Sequence, residues 1–239
     1  MTSTTQNGTT SPLSERITES FPSKTLEQLI ISRHSSRKFL PTPVPKQLLQ
    51  DSLKLASHAP SNSNVQPWRL FIATGSARSR LASALLHEAR LSEPNIPALP
   101  PAFKHYRTEL GYQVYNIGMG ISREDTAARK AAVLRNYDFF EAPVAAVVCM
   151  DKALGLVDSM GVGMYLQTLM LALTERRLSS CVEVSVAGYP EIVRREMGIG
   201  EEMEVLCGFA IGYEDPSFKG NALNTGRDDI DVTTTWLDE

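Results

Sequence analysis

Two groups of residues in this chain have the types and spacing to do chemistry. The first is Arg33-His34-Ser35-Ser36-Arg37, to which Arg227 adds a cation far downstream. Guanidinium forks and serine hydroxyls brought together from separated positions are what a bound phosphate requires. The second is Ala59-Pro60-Ser61-Asn62-Ser63-Asn64-Val65-Gln66-Pro67-Trp68, which sets small amides and hydroxyls between prolines just before an apolar run. Asn62, Asn64 and Gln66 each donate and accept hydrogen bonds, the capacity needed to read the edge of a heteroaromatic ring. Together the groups point to a phosphorylated cofactor with such a ring.

Each group alone has a plainer reading. Cations at a helix end are favoured by the helix dipole, and Ser, Asn and Pro dominate turns for local reasons. Arg227 stands between Thr225-Gly226 and Asp228-Asp229 and has acidic neighbours to pair with; His34 by itself reads as structural. Co-occurrence gives the groups their weight, as does the absence of competing signatures. Gly118-x-Gly120, Gly161-x-Gly163 and Gly198-x-Gly200 each lack the third glycine of a dinucleotide fingerprint, and neither a P-loop nor a Gly-x-Ser-x-Gly elbow is present. The histidines at 34, 58, 87 and 105 form no metal-ligand pattern.

The elements that must position these groups follow from periodicity. Residues 1–22 carry no hydrophobic period and read as a disordered or draped arm. A near-capping box opening at Ser23, with Leu26, Leu29, Ile30 and Arg33 at helical spacing, predicts a short helix ending at the Arg-His-Ser segment. Pro45 is placed to open a second helix as its first residue. Leu70–Thr74 reads as a strand, Ser76–Leu91 as a helix, and the Pro-rich stretch Ser92–Pro101 as an excursion of the kind that covers a site. Helices follow from Phe103 to about Asn136, then a strand over Pro143–Met150. Val157–Arg176 is apolar around nearly its whole circumference, as expected inside an oligomer or a core. Strands over Cys181–Val186 and Val205–Gly212 flank a helix over Pro190–Met197. The polar tail ends on Val232–Trp236, a β-branched run suited to another sheet edge. Strands scattered among longer helices indicate an α+β fold, with a dimer implied by the tail.

The totals narrow the class. A hydrophobic content of 42% over 239 residues is ample for a core, while a net charge of -3 and a pI near 5.9 provide no basic field for nucleic acid. Cys149, Cys181 and Cys207 lie in apolar surroundings without close pairing, which reads as reduced core thiols of a cytoplasmic protein. The first twenty residues lack the apolar segment of a secretory signal, and no run is expected to reach the length of a membrane span.

Taken together, the Arg-His-Ser-x-Arg start, Ala-Pro-Ser-x-x-Asn-x-Gln-Pro-Trp, the Ala142-Pro143 strand entry, the glycine-containing central helix and Asn221-x-x-Asn224-x-x-Arg227 resemble the FMN-dependent nitroreductase superfamily. The resemblance spans about residues 24–237. Gly118–Asp125, Asn136–Pro143 and Cys181–Ser185 are similar to the branch that includes nitrobenzoate reductases. It implies a central mixed β-sheet flanked by helices, an intertwined homodimer, and one domain over 23–239 whose tail reaches the partner subunit. By position, Arg33, Ser35 and Arg227 would hold the FMN phosphate, with His34 in the same motif, and Arg37 would meet the pyrimidine edge. Pro60, Ser61, Asn62 and Asn64 would come from the other subunit, and backbone around Val184 and Ser185 would meet flavin N5. Arg107 or Tyr106 would line the flavin or the substrate, within a segment, Ala98 to Gln113, that does not align securely with the family. Thr225 stands where some relatives place a phosphate-binding lysine. The implied activity is ping-pong transfer from NAD(P)H through FMN to a nitroaromatic or other electron-poor aromatic, with neither membrane nor nucleic acid as partner. A flavin dehydrogenase or oxidase that desaturates a metabolite, and a flavin-binding protein without turnover, remain open alternatives.

Overall fold

The eight residues Val-Ala-Ala-Val-Val-Cys-Met-Asp form β2 (Val144–Asp151) of the sheet, preceded in the chain by β1 (Arg69–Thr74). Only the last of the eight escapes full burial, because both faces of this central strand are covered. The computed structural model describes residues 24–237; the arm expected over 1–22, and Ser23, lie outside the described residues. With β3 (Ser179–Glu183) and β4 (Met203–Gly212) the sheet runs β1-β2-β4-β3. All three pairings are antiparallel, in registers such as Phe71↔Val147, Val147↔Gly208 and Cys181↔Ala210. The mixed character expected of the sheet is confined to one parallel bridge, Ser35↔Ser180, which lays the Arg-His-Ser-Ser-Arg segment beside β3.

Helices cover both faces. On one, α2 (Lys46–Ala56) and α6 (Leu156–Glu175) bury Leu49, Val162, Leu169 and Leu173 against Val148, Phe209 and Ile211. On the other, α3 (Gly75–Leu91) and α7 (Pro190–Met197) pack Leu81, Leu85 and Val193 with Phe139, Val147 and Ala210. The alternation of side chains along each strand assigns neighbours to opposite layers. Cys149 and Cys181 fall on the α3 side and Cys207 on the α6 side, all buried and free.

Several local readings change. The first helix, α1 (Leu26–Ser32), starts from Thr25: its hydroxyl accepts from the Gln28 N–H at 3.3 Å while the Gln28 amide accepts from the Thr25 N–H at 2.9 Å. That reciprocal cap lies two residues after Ser23. Pro45 occupies the cap of α2 rather than its first turn. Beyond the Ser92–Pro101 stretch, the helices expected from Phe103 to about Asn136 are present as α4 (Lys104–Gly111), a π-helical turn at Tyr112–Gly118, and α5 (Thr126–Leu134), whose first turn is capped by Asp125 accepting from Ala128 N–H at 2.9 Å. The strand expected over Cys181–Val186 stops at Glu183, and Val184–Gly188 turns as a 3-10 helix that drives Val186 into the core under Gly208. The tail forms no strand at Val232–Trp236. Asp229 accepts from Asp231 N–H at 3.1 Å and starts a single helical turn, α8 (Ile230–Thr233). Here a local side-chain cap competes with the β-propensity of the run.

By length and composition α6 is able to cross a membrane, contrary to the expectation that no run reaches that length. It lies against the sheet through Val162, Tyr165, Leu169 and Leu173, while Leu156, Val157 and Met160 stay exposed at 86%, 61% and 64%.

Candidate cofactor-binding site

Helix α1 ends because Arg33 adopts extended backbone, its N–H still donating to Leu29 O at 3.0 Å. From there the chain runs as a strap. Ser36 N–H donates to Ser180 O at 3.1 Å, Phe39 N–H to Phe140 O at 3.2 Å and Leu40 N–H to Tyr213 O at 2.8 Å. Along this strap Ser36 and Phe39 are buried, while Arg33, Ser35 and Arg37 are half-buried and line one cleft.

Asn221 ties the tail to the strap. Its side-chain oxygen accepts from Arg37 N–H at 2.7 Å, and its amide nitrogen donates to Lys38 O at 2.9 Å and Asp215 O at 3.1 Å. At 6% exposure it satisfies three backbone groups that would otherwise be orphaned, and so fixes where 222–228 runs. Asn221 was not among the residues singled out for binding; its spacing to Asn224 and Arg227 was the available signal. Arg227 turns back through Nη1 onto Thr225 O at 2.8 Å, Thr225 Oγ1 at 3.1 Å and Gly226 O at 2.8 Å. Thr225, standing where some relatives place a lysine, thus steadies the guanidinium.

Strap and tail enclose a cleft of about 1160 Å³ that Arg33, Ser35, Arg37, Asn224 and Arg227 all line. Residues far apart in sequence therefore do converge. Tyr106 also lines the cleft and donates to Asp228 Oδ2, and that carboxylate holds the phenol above its ordinary range. His34 lines it too, but both its ring nitrogens are engaged, with Ser32 O at 2.9 Å and Glu214 Oε2 at 2.7 Å. The Glu214 hydrogen bond raises the imidazole above its ordinary value, and the same bond, joined by one from Ser36 at 2.9 Å, lowers Glu214. His34 is thus a buttress of the strap. Cys181 lies near Arg33, Ser35 and Arg37, yet burial pushes its thiol up to about 12, so it is no nucleophile at neutral pH.

The other expected groups sit elsewhere. In Pro60–Asn64, Ser61 Oγ accepts from Gln66 N–H at 3.0 Å and Asn62 Nδ2 donates to Asp158 Oδ1 at 3.4 Å. Trp68 stacks on Tyr165 with ring centroids 4.6 Å apart, anchoring the loop on α6. Ser63, Asn64 and Gln66 hold positive φ values of 48°, 56° and 51°, and the Asn62 and Asn64 side chains are exposed. None of Pro60, Ser61, Asn62 and Asn64 lines the cleft of its own chain. Val184 and Ser185 occupy the 3-10 turn after β3, where Ser185 Oγ is buried without a partner. Glu183 beside them is buried at 2% with both carboxylate oxygens unpartnered, and burial raises its pKa well above the usual range. Arg107 lines a second hollow, which shares Arg37 and Leu110 with the cleft.

The residues present fit the phosphate end of a flavin mononucleotide: three guanidinium groups and a hydroxyl meet in one cleft, although neither Val184 nor Ser185 lines it. An antiparallel sheet layered between helices, with a cationic cleft where an extended strap meets the tail, defines an α+β protein whose cleft has the charge to suit a phosphorylated ligand. The chain belongs to the nitroreductase family, whose model matches residues 30–213. Nitrobenzene nitroreductase of Ectopseudomonas oleovorans is 31% identical over 221 residues, covering 90% of this chain and 97% of that protein. 4-Nitrobenzoate reductase of a Nocardioides species is 31% identical, covering 89% and 91%. The crystal structure of the FMN-dependent nitroreductase NfnB from Mycobacterium smegmatis in complex with NADPH superposes with a TM-score of 0.82 at 31% identity, covering 89% of this chain and 97% of that one. The expected family and fold class are thereby established.

Proposed function

We propose that this protein is an FMN-dependent oxidoreductase that takes reducing equivalents from NAD(P)H and delivers them to nitroaromatic or other electron-poor aromatic compounds. The observation that carries this reading is the convergence of Arg33, Ser35, Arg37 and Arg227 on one cleft of a nitroreductase-family scaffold. Relatives named for nitrobenzene and nitrobenzoate reduction, and a neighbour holding FMN and NADPH, support it. When bound, FMN accepts a hydride from the nicotinamide and passes electrons to the acceptor, chemistry that protein side chains do not supply.

The chain's own residues bind and orient. Arg33, Ser35 and Arg227 hold the phosphate; Arg37 places positive charge at the pyrimidine edge; backbone at Val184 and Ser185 orients the ring. Pro60, Ser61, Asn62 and Asn64 serve the cleft of a second copy in a homodimer, a division supported by the exposure of Pro60, Asn62 and Asn64 and by the absence of all four from their own chain's cleft. Tyr106 belongs to the cleft wall. Cys181, neutral through burial, moves no proton, and protons come from water or from the substrate itself. Buried free thiols fit the reducing cytoplasm. Donor and acceptor occupy the cleft in turn, a ping-pong scheme. Steady-state rates at several fixed acceptor concentrations are expected to give parallel double-reciprocal lines; intersecting lines would refute alternation.

A further inference from the structure

The excursion between α3 and β2 frames an open hollow of about 770 Å³ beside the cleft. Six cations line it, Arg37, Lys104, Arg107, Arg123, Arg129 and Lys130, and no carboxylate does. In a chain whose net charge is -3 this is a local concentration of one sign. Among the described residues Lys104, Arg107, Arg123 and Lys130 enter no ion pair. Glu124, the acidic neighbour of Arg123, is exposed and outside the lining. Arg129 is held in place, its guanidinium 4.8 Å from the Tyr115 ring centroid and Nη1 3.4 Å from Asn116 Oδ1. The remaining wall includes Leu99, Tyr112, Tyr115 and buried Phe140, which offer contact to a flat apolar ring. Crowded like charges raise the local potential, and an entering anion lowers it.

We infer that this hollow takes the anionic substituent of the electron acceptor, an aromatic ring carrying a carboxylate or sulfonate. Arg37 and Leu110 line both hollow and cleft, so the charged end of a ligand seated here lies beside the proposed flavin site. Lys104 and Arg107 on the α4 side and Arg123, Arg129 and Lys130 on the α5 side face one small space, which suits a single substituted ring better than an extended dinucleotide. The phosphates of the nucleotide donor share the same chemistry, so the test separates the two sources. The inference rests on the acceptor-reducing reading above.

The FMN-loaded, oxidised protein is titrated with benzoate, benzenesulfonate and benzyl alcohol by calorimetry, and kcat/KM is measured for 4-nitrobenzoate and nitrobenzene. Arg107→Ala and Arg123→Ala are compared with the parent, and Arg123→Lys tests rescue by charge. Benzoate is expected to bind about tenfold tighter than benzyl alcohol, each alanine to weaken benzoate about five- to tenfold with little effect on the alcohol, and Arg123→Lys to restore part of the loss. The preference in kcat/KM for 4-nitrobenzoate should fall in parallel. Equal binding of acid and alcohol, or variants that leave the preference intact, would overturn the inference. A loss seen only in the KM for NADPH would assign the hollow to the nucleotide and overturn it as well. If benzoate binding behaves as expected while neither nitro compound turns over, the acceptor role falls together with the proposed function, and that outcome is distinct from a failure of the titration.

Discussion

Arg227 is the cation whose place in the site was hardest to read from sequence, and its side chain is the most directly testable. It stands among acidic neighbours, yet its hydrogen bonds run to Thr225 and Gly226 rather than to Asp228 or Asp229. A charged donor freed for a phosphate supports Arg227→Ala lowering FMN affinity by about ten- to a hundredfold. Recovery of free-flavin fluorescence on dilution measures this, and unchanged affinity would remove Arg227 from the cradle. His34 and Glu214 make a prediction in pH. Their pair contributes fully where both groups are charged even in the unfolded chain, roughly between pH 4.5 and 6.5. Its contribution fades as pH rises through the raised His34 value, because the native imidazole then loses its proton. It fades again as pH falls through the lowered Glu214 value. His34→Asn should flatten the corresponding part of the Tm-versus-pH curve; an unaltered curve would show that the bond does not couple to folding.

At the scale of elements, the loop before β1 depends on a single missing side chain. A Cβ on Gly161 would sit 3.2 Å from both Pro67 Cγ and Ser61 Cβ, so Gly161→Leu must push the 61–67 loop off α6. The expected result is a protein that folds, with its far-ultraviolet circular dichroism retained, but binds FMN at least about tenfold more weakly. Normal flavin content in that variant would show that the loop's position is immaterial. The continuous apolar runs of β2 and β4 and the long helical patterns of α3 and α6 are legible in the sequence. Features set by tertiary contact are not. Phe139, Phe140 and Glu141 all take positive φ, at 48°, 52° and 67°, in a turn fastened by Arg78, whose guanidinium donates to Ala142 O at 2.9 Å and to Asp138 O. No propensity favours left-handed phenylalanines; a distant arginine holds them. The early end of β3 has the same origin, since Val186 is drawn into the space left by Gly208. In the site, Arg33, Ser35 and Arg37 were legible because they share one extended strap, whereas Asn221 was not, because its importance lies in three backbone partners remote in sequence.

At the scale of the whole molecule, the unpaired apolar surface on α1 and the start of α6 sets the expectation. Leu26, Ile31, Leu156 and Val157 are exposed at 65%, 75%, 86% and 61%, and the tail adds Val232 and Trp236 at 72% and 68%. Covering such surface with a second copy would also bring another chain's Pro60–Asn64 loop to the cleft, so assembly and cofactor retention should fail together. Met160→Asp, which places a charge on the exposed face of α6, is expected to shift sedimentation from a dimer toward a 26.3 kDa monomer and to release the flavin. A monomeric variant that keeps its FMN would separate the two properties and argue for a site complete within one chain. The central claim is tested most directly by an absorbance spectrum of the purified protein followed by anaerobic addition of NADPH or NADH and then a nitroaromatic. The account predicts a bound-flavin spectrum that bleaches with nucleotide and returns with the nitro compound; a colourless protein unable to take up FMN, or a bound flavin that neither nucleotide bleaches, would contradict it.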